Sequence, residues 1–275
     1  MNIAIIGYGN VGQAIGIGFR DACTLYLNDP KLIGTAANTP YSDIIETCEF
    51  VFVSVSTPWI EDEQRFNSAP IDSVMANLHN VCVIKQKYPI IIIKSAVLPS
   101  IIEKYGLIYP ELSIVVSPEY LRERSTKRDF VNQKQMILGG YVQDCYEVEK
   151  LFKDYSICNL CPTRYCDTAV EAALLKYMEN SFLAMKVTFM NEFYALYQKI
   201  KGDSETTWEY LMAMFHMDAR MGTSHYSVPG PDGKRGWGGM CLPKDINSIC
   251  KEARAKGTPL NLMEAVRDIN KEHRN

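Results

Sequence analysis

Asn2-Ile3-Ala4-Ile5-Ile6-Gly7-Tyr8-Gly9-Asn10-Val11-Gly12 decides the reading of the first half of the chain. The β-branched run Asn2 to Ile6 predicts a strand, the three glycines a tight turn, and the small and apolar residues from Gln13 to Arg20 a helix. In such a turn Gly7 supplies the tightness, Gly9 lets backbone approach a pyrophosphate, and Gly12 lets the helix pack closely on the strand. The phosphates then sit at a helix N-terminus. Glycine triplets also serve ordinary turns, so a second strand ending in an acid is the confirming feature. Thr24 to Asn28 reads as that strand, and Asp29 stands at its end, 17 residues past Gly12. A carboxylate there accepts from a ribose 2′-hydroxyl and repels a 2′-phosphate, which points to NAD rather than NADP. A turn aspartate is the plainer reading of the same residue.

Working outward, strand-like runs follow at Phe50 to Val55, Ile90 to Ile93, Ile114 to Val116 and Met136 to Leu138. The segments Ile71 to Gln86 and Gln143 to Lys153 have lengths that suit crossover helices. The prediction is an α/β, Rossmann-like, doubly wound parallel sheet, whose ligand crevice lies outside the C-terminal strand ends. Ser54-Val55-Ser56-Thr57-Pro58, Lys94-Ser95-Ala96 and Ser117-Pro118-Glu119 all fall there.

The 275 residues, 47% of them hydrophobic, suffice for one full core and a second, smaller one. With 29 basic against 32 acidic residues the net charge is −3, so the basic excess of a nucleic-acid binder is missing. Ile90 to Ile93 is far short of the ~20 apolar residues that cross a bilayer, and no basic-then-apolar leader precedes Asn2, so a cytoplasmic protein is expected. Nine cysteines are an odd count scattered among apolar residues, which favours free thiols. Cys158, Cys161 and Cys166 have a ligand-like spacing, yet no fourth Cys or His follows as a closed zinc site requires, and no metal is expected.

The texture changes near Cys166. Thr168-Ala169-Val170-Glu171 is a capping box, and the proline-free stretch to Ile200, with Gly202 as its stop, predicts one helix of 33 residues. Lys176 and Asn180, four apart, project from one face; a solvated face is one reading, an ammonium and an amide aimed at a substrate oxygen the other. Phe182, Phe189, Phe193, Tyr194 and Tyr197 spread apolar surface around much of this helix, which predicts cover by a second chain. In Gly236-Trp237-Gly238-Gly239-Met240-Cys241-Leu242-Pro243-Lys244-Asp245, Pro243 suits the first turn of a helix, and Cys241 is expected just before it. A thiol at that place, with Lys244 near, gains thiolate character, the setting of a nucleophile. Cys250 lacks these features and reads as a packed thiol.

Together these segments resemble the UDP-glucose/GDP-mannose dehydrogenase family. The resemblance runs through the glycine turn, Val55-Ser56-Thr57-Pro58, Lys94-Ser95, Ser117 to Glu123, Lys176 to Ala184, and Gly236 to Asp245. It implies an NAD-dependent four-electron oxidation of the C6 alcohol of a nucleotide sugar, UDP-glucose first, to the uronic acid, an activity of polysaccharide biosynthesis. Cys241 would attack the aldehyde of the first oxidation, and the thiohemiacetal would become a thioester that water cleaves. The resemblance assigns Lys176 and Asn180 to the oxyanion, Asp245 to the catalytic water network and Glu123 to water activation. It assigns NAD contacts to Gly7, Gly9, Asn10, Val11, Gly12, Asp29, Thr57 and Lys244. Sugar contacts fall to Glu119, Tyr120, Leu121, Arg122 and Gly238, and to Arg220 reaching the substrate of a partner subunit.

It further implies an NAD-binding domain over 1–167 and a helical domain over 168–275 through which a homodimer forms. The family's third, nucleotide-binding domain has no counterpart in this sequence, which predicts a short form. Ala96 replaces a family threonine. The loop Ser227 to Arg235 is turn-rich; it reads either as a plain solvated loop or as one whose Lys234 and Arg235 bring charge to a diphosphate. Two other functions share parts of the pattern. A β-hydroxyacid dehydrogenase uses a helix lysine and an asparagine four residues on but needs no cysteine, and a non-catalytic binding or regulatory subunit needs no chemistry at all.

Overall fold

Ile3 and Ile5 point to one side of the first strand and Ala4 and Ile6 to the other, and every one is buried. That alternation repeats across the central strands, so the sheet is covered on both faces. The computed structural model describes residues 1–33, 35, 37–121, 125–158 and 161–274. In chain order the elements are β1 (Asn2–Ile6), α1 (Asn10–Phe19), β2 (Thr24–Asn28), α2 (Tyr41–Thr47), β3 (Phe50–Val53), β4 (Trp59–Ile60), β5 (Arg65–Phe66) and α3 (Ala69–Lys85). Then come β6 (Ile90–Ile93), α4 (Pro99–Ile108), β7 (Ile114–Val116), α5 (Thr126–Val131), β8 (Met136–Gly139), α6 (Val142–Tyr155) and β9 (Thr163–Cys166). The chain continues through α7 (Ala169–Ile200), α8 (Trp208–Phe215), α9 (Cys241–Ala255) and α10 (Asn261–Arg274).

Two packed units arise, Met1–Lys176 and Tyr177–Asn275. In the first, seven strands run in the order β2-β1-β3-β6-β7-β8-β9. The strand order departs in opposite directions from β1, and this switch point is where an open α/β sheet takes its ligand. The expectation of a parallel sheet holds for β2 through β7 and needs correction beyond them. β8 is antiparallel to β7, meeting it at Val116 opposite Gly139, and β9 runs parallel to β8. Among the described residues the link between β7 and β8 holds the short α5, which packs on α1, and no full crossover helix that would return the chain to the start of the sheet.

The cores explain the stability of this unit. Phe19, Phe52, Phe130 and Phe152 interlock on one face with ring centroids 5.0 to 6.1 Å apart, while Val51, Val53, Ile91 and Ile93 fill the other with Ile44, Ile71 and Met75. Each such side chain removed from water contributes about 1.5–3 kcal/mol. The capping box at the head of α7 forms as the sequence predicts. The Thr168 hydroxyl accepts from Glu171 N at 3.1 Å, and the Glu171 carboxylate accepts from Thr168 N at 2.9 Å. Its first turns join the sheet core through Ala172 and Ala173.

In the second unit, Trp237, Ile246, Cys250, Met263 and Val266 form one apolar cluster with Ala184 of α7. Met190, Trp208, Met212 and Val228 form another. Tyr194 and Tyr197 are spent there, their rings 5.3 and 5.8 Å from Trp208. Met178, Phe182, Phe189, Phe193, Leu196 and Ile200 stay exposed along α7. No helix among the described residues is long and apolar enough to cross a membrane, and no group of three His, Cys, Asp or Glu among them is placed to hold a metal ion.

Candidate active site

The glycine turn is shaped by close approaches that only glycine permits. Gly7 has φ +89°, and a Cβ there would lie 2.8 Å from the Ser54 carbonyl and Val55 N at the end of β3. A Cβ on Gly12 would overlap the Gly7 carbonyl oxygen. Gly9, the N-cap of α1, faces open space, with no described residue beyond its chain neighbours within 4 Å of where its Cβ would be. An open cradle at a helix N-terminus is what a pyrophosphate requires, so the residues present fit a dinucleotide. Asp29 is built into the same turn: its carboxylate accepts from Tyr8 N at 2.6 Å and from Lys31 N at 2.8 Å. Asn10 is exposed at the start of α1, and Val11 packs at the edge of the aromatic core.

The neighbouring strand ends are laced together. Ser54 Oγ donates to Gly7 O at 2.7 Å, Ser95 Oγ to Val55 O at 2.7 Å, and the buried Thr57 Oγ1 to Ala96 O at 2.7 Å. Lys94, 5% exposed at the end of four isoleucines, donates to Ser117 Oγ at 3.0 Å and pairs with the Glu119 carboxylate. Burial pushes its ammonium pKa down to about 7. Lys176 donates to the Glu119 carbonyl, and its ammonium lies 4.9 Å from the centre of the Tyr120 ring. Lys176, Glu119 and Tyr120 are therefore one cluster, while Leu121 packs on the aromatic core. The sequence places Lys94 at a strand end in the crevice but assigns it no role; its pairing with Ser117 and Glu119 was not legible. Arg122 and Glu123 lie outside the described residues.

In the second unit Cys241 is the first residue of α9 and solvent-exposed, one step inside the helix rather than just before it. Met240 takes the N-cap position, and Pro243 occupies the first turn, where its missing N–H costs nothing. One turn on, Asp245 is 1% exposed and its carboxylate accepts from the Asn180 amide and pairs with the Lys244 ammonium. Burial, then the charges of Asp245 and Glu252, hold the Tyr177 phenol well above its ordinary pKa, and its buried hydroxyl has no hydrogen-bond partner among the described residues. Gly236 N donates to Asn191 Oδ1 at 3.0 Å, and Trp237 Nε1 to Thr188 Oγ1 at 3.0 Å. These two α7 side chains hold the approach to Cys241, and sequence reasoning missed both.

Three expected binding residues are engaged within the fold. Arg220, exposed, pairs with Asp218 two residues before it. Arg235 donates to Asn191 O at 2.8 Å, which ties it to α7, while Lys234 stays exposed. Gly238 packs beneath the Arg274 guanidinium. All nine cysteines are thiols, and burial raises Cys250 above its ordinary pKa.

Comparison with known proteins covers most of the chain. Residues 31–156 match the model of the UDP-glucose/GDP-mannose dehydrogenase family, NAD binding domain, and residues 170–272 that of the central domain. The glycine turn precedes the matched range and is carried by its geometry. UDP-glucose 6-dehydrogenase AglM of Haloferax volcanii is 26% identical over 85% of this chain, which spans 54% of its length. The UDP-glucose 6-dehydrogenase of Rhizobium meliloti is 26% identical over 98% of this chain, which spans 67% of it. The structure of a UDP-glucose dehydrogenase from Pyrobaculum islandicum superposes with a TM-score of 0.82 at 20% identity, covering 98% of this chain and 68% of that one, a likeness of fold.

Proposed function

The chain belongs to the UDP-glucose/GDP-mannose dehydrogenase family, and from that premise we propose that it oxidises the C6 alcohol of a nucleotide sugar, UDP-glucose first, to the uronic acid in two steps. The cofactor is NAD, which when bound accepts a hydride in each step. The observation that carries the reading is Cys241 at the head of α9, one turn from the Asp245, Lys244 and Asn180 cluster. The Cys241 thiolate, favoured by the N-terminal amides of α9, adds to the aldehyde of the first oxidation. Loss of hydride from the thiohemiacetal leaves a thioester. Water cleaves it to the carboxylate and returns the thiol.

The other groups follow from their chemistry. One amide hydrogen of Asn180 is used on Asp245, and the other serves the developing oxyanion with Lys176, one turn back on α7. Asp245 orders the attacking water, and Glu123 activates it. Glu119 and Tyr120 contact the sugar, and Gly238 and the partner subunit's Arg220 complete the contacts. The protein works as a homodimer through α7. NADH formed per sugar consumed, measured with the intact chain and Cys241→Ala, tests the reading. Two NADH from UDP-glucose, with the variant halted before the second, is the expected result. NAD binding without NADH from UDP-glucose, GDP-mannose or N-acetylhexosamine analogues overturns it in favour of a non-catalytic subunit.

A further inference from the structure

The turn that delivers the chain to Cys241 has little structure of its own. Gly236 to Gly239 belong to no helix or strand, and Gly236 and Gly239 sit at φ +71° and +77°. Such a backbone keeps one shape only when its surroundings fix it. Thr188 and Asn191 fix it from α7. The other side belongs to α10, whose sequence reads as an ordinary charged amphipathic helix.

Asn270, 6% exposed, pairs with the Trp237 backbone in both directions: Trp237 N donates to Oδ1 at 2.7 Å, and Nδ2 donates to Trp237 O at 3.0 Å. Four residues on, hence on the same face, the Arg274 guanidinium lies flat against Gly238. A Cβ on Gly238 would come 2.5, 2.8 and 3.1 Å from its Nη2, Cζ and Nη1. The guanidinium is itself held, donating to Asp232 Oδ2 at 2.7 Å and Arg235 O at 3.5 Å.

We propose that Asn270 and Arg274 are positioning residues for Cys241, clamping Trp237 and Gly238 so that the chain enters α9 with the thiol at the helix N-terminus. Neither touches the reacting atoms. Asn270 fixes the peptide plane at Trp237, and Arg274 fills the space above Gly238, so that glycine at 238 and arginine at 274 require one another. The catalytic consequence rests on the reading of Cys241 as nucleophile; the clamp itself does not.

Alkylation of the intact chain by iodoacetamide, followed by mass spectrometry of the Cys241 peptide between about pH 6 and 10, reads the position of the thiol without turnover. Arg274→Ala is expected to raise the midpoint by about half a unit, about threefold slower labelling below it. Arg274→Lys, which keeps charge without the flat stack, should shift it in the same direction by less. Gly238→Ala should impair labelling in the wild-type background and much less in Arg274→Ala, because the space is then open. Profiles that superimpose, or a Gly238→Ala effect equal in both backgrounds, overturn the clamp. Protection of the buried Cys250 certifies the fold in each variant; should Arg274→Ala label there, Arg274→Lys carries both comparisons. A shifted profile in a protein that forms no NADH removes the proposed function and leaves the clamp, whereas NADH with an unshifted profile does the reverse.

Discussion

Asn180 and Asp245, 65 residues apart in sequence, meet in a buried hydrogen bond on whose carboxylate Lys244 also rests. An amide and an ammonium converging on one dry carboxylate fix the first turn of α9, and with it Cys241, against α7. Asp245→Asn leaves the ammonium without its counter-charge. Loss of one partner of a buried pair costs about 3–5 kcal/mol, and because Lys244 keeps 16% side-chain exposure the lower end, about 3 kcal/mol, is expected. The midpoint of urea unfolding should fall at unchanged slope. A midpoint like that of the wild type would show that the carboxylate is not desolvated.

Gly9 and Gly12 separate cofactor binding from folding. A methyl on Gly9 meets no other described residue within 4 Å, whereas one on Gly12 overlaps the Gly7 carbonyl. Gly9→Ala should therefore keep its stability to within about 1 kcal/mol of wild type while weakening NAD binding at least tenfold. Gly12→Ala should lose both. Calorimetric titration with NAD, paired with thermal melts, decides; unimpaired NAD binding by Gly9→Ala would mean that the pyrophosphate does not use this cradle.

Buried thiols set the alkaline limit of the fold. Burial pushes Cys48 up to about 12 and Cys82 and Cys145 up to about 11, with nearby charges adding at Cys145. In the unfolded chain a thiol loses its proton near about 8.5. Between those values the folded state holds more protons, so stability is fully present below about pH 8.5 and falls as pH rises. Each thiol contributes a slope of about 1.4 kcal/mol per pH unit. Cys48→Ala lowers stability at every pH by its cavity but should flatten the slope by one thiol's share between about pH 9 and 11. An unchanged slope would place the ionisation of Cys48 in the folded state.

These predictions divide along the line between what local sequence specifies and what it does not. The glycine turn, the acid ending β2 and the capping box at Thr168 and Glu171 involve neighbours in the chain, so residue type and spacing suffice to read them. Cys241 was legible because glycines, proline and aspartate around it share one turn. Lys94 with Glu119, Asn191 with Gly236 and Asn270 with Trp237 pair residues 25 to 45 apart, and a single lysine or asparagine carries no mark of its partner. The reversal of β8 was hidden for a related reason: a short apolar run reads the same in either direction, and its direction is set by contacts outside the run.

The exposed stripe on α7 makes the last prediction. Met178, Phe182, Phe189 and Phe193 are 58, 60, 44 and 50% exposed, and the last two rings lie 4.4 Å apart, a continuous apolar strip that an isolated chain leaves in water. Burial of such a strip against its own copy contributes about 25 cal/mol per Å² before association costs. Phe182→Glu places a charge in that interface at a position where the unit's own core loses nothing. Light scattering during size exclusion should give a dimer for the wild type and a monomer for the variant, which still unfolds in one cooperative transition but at lower temperature because the stabilisation from dimerisation is gone. A wild-type chain that elutes as a monomer at tens of micromolar would assign the strip to something other than a second copy.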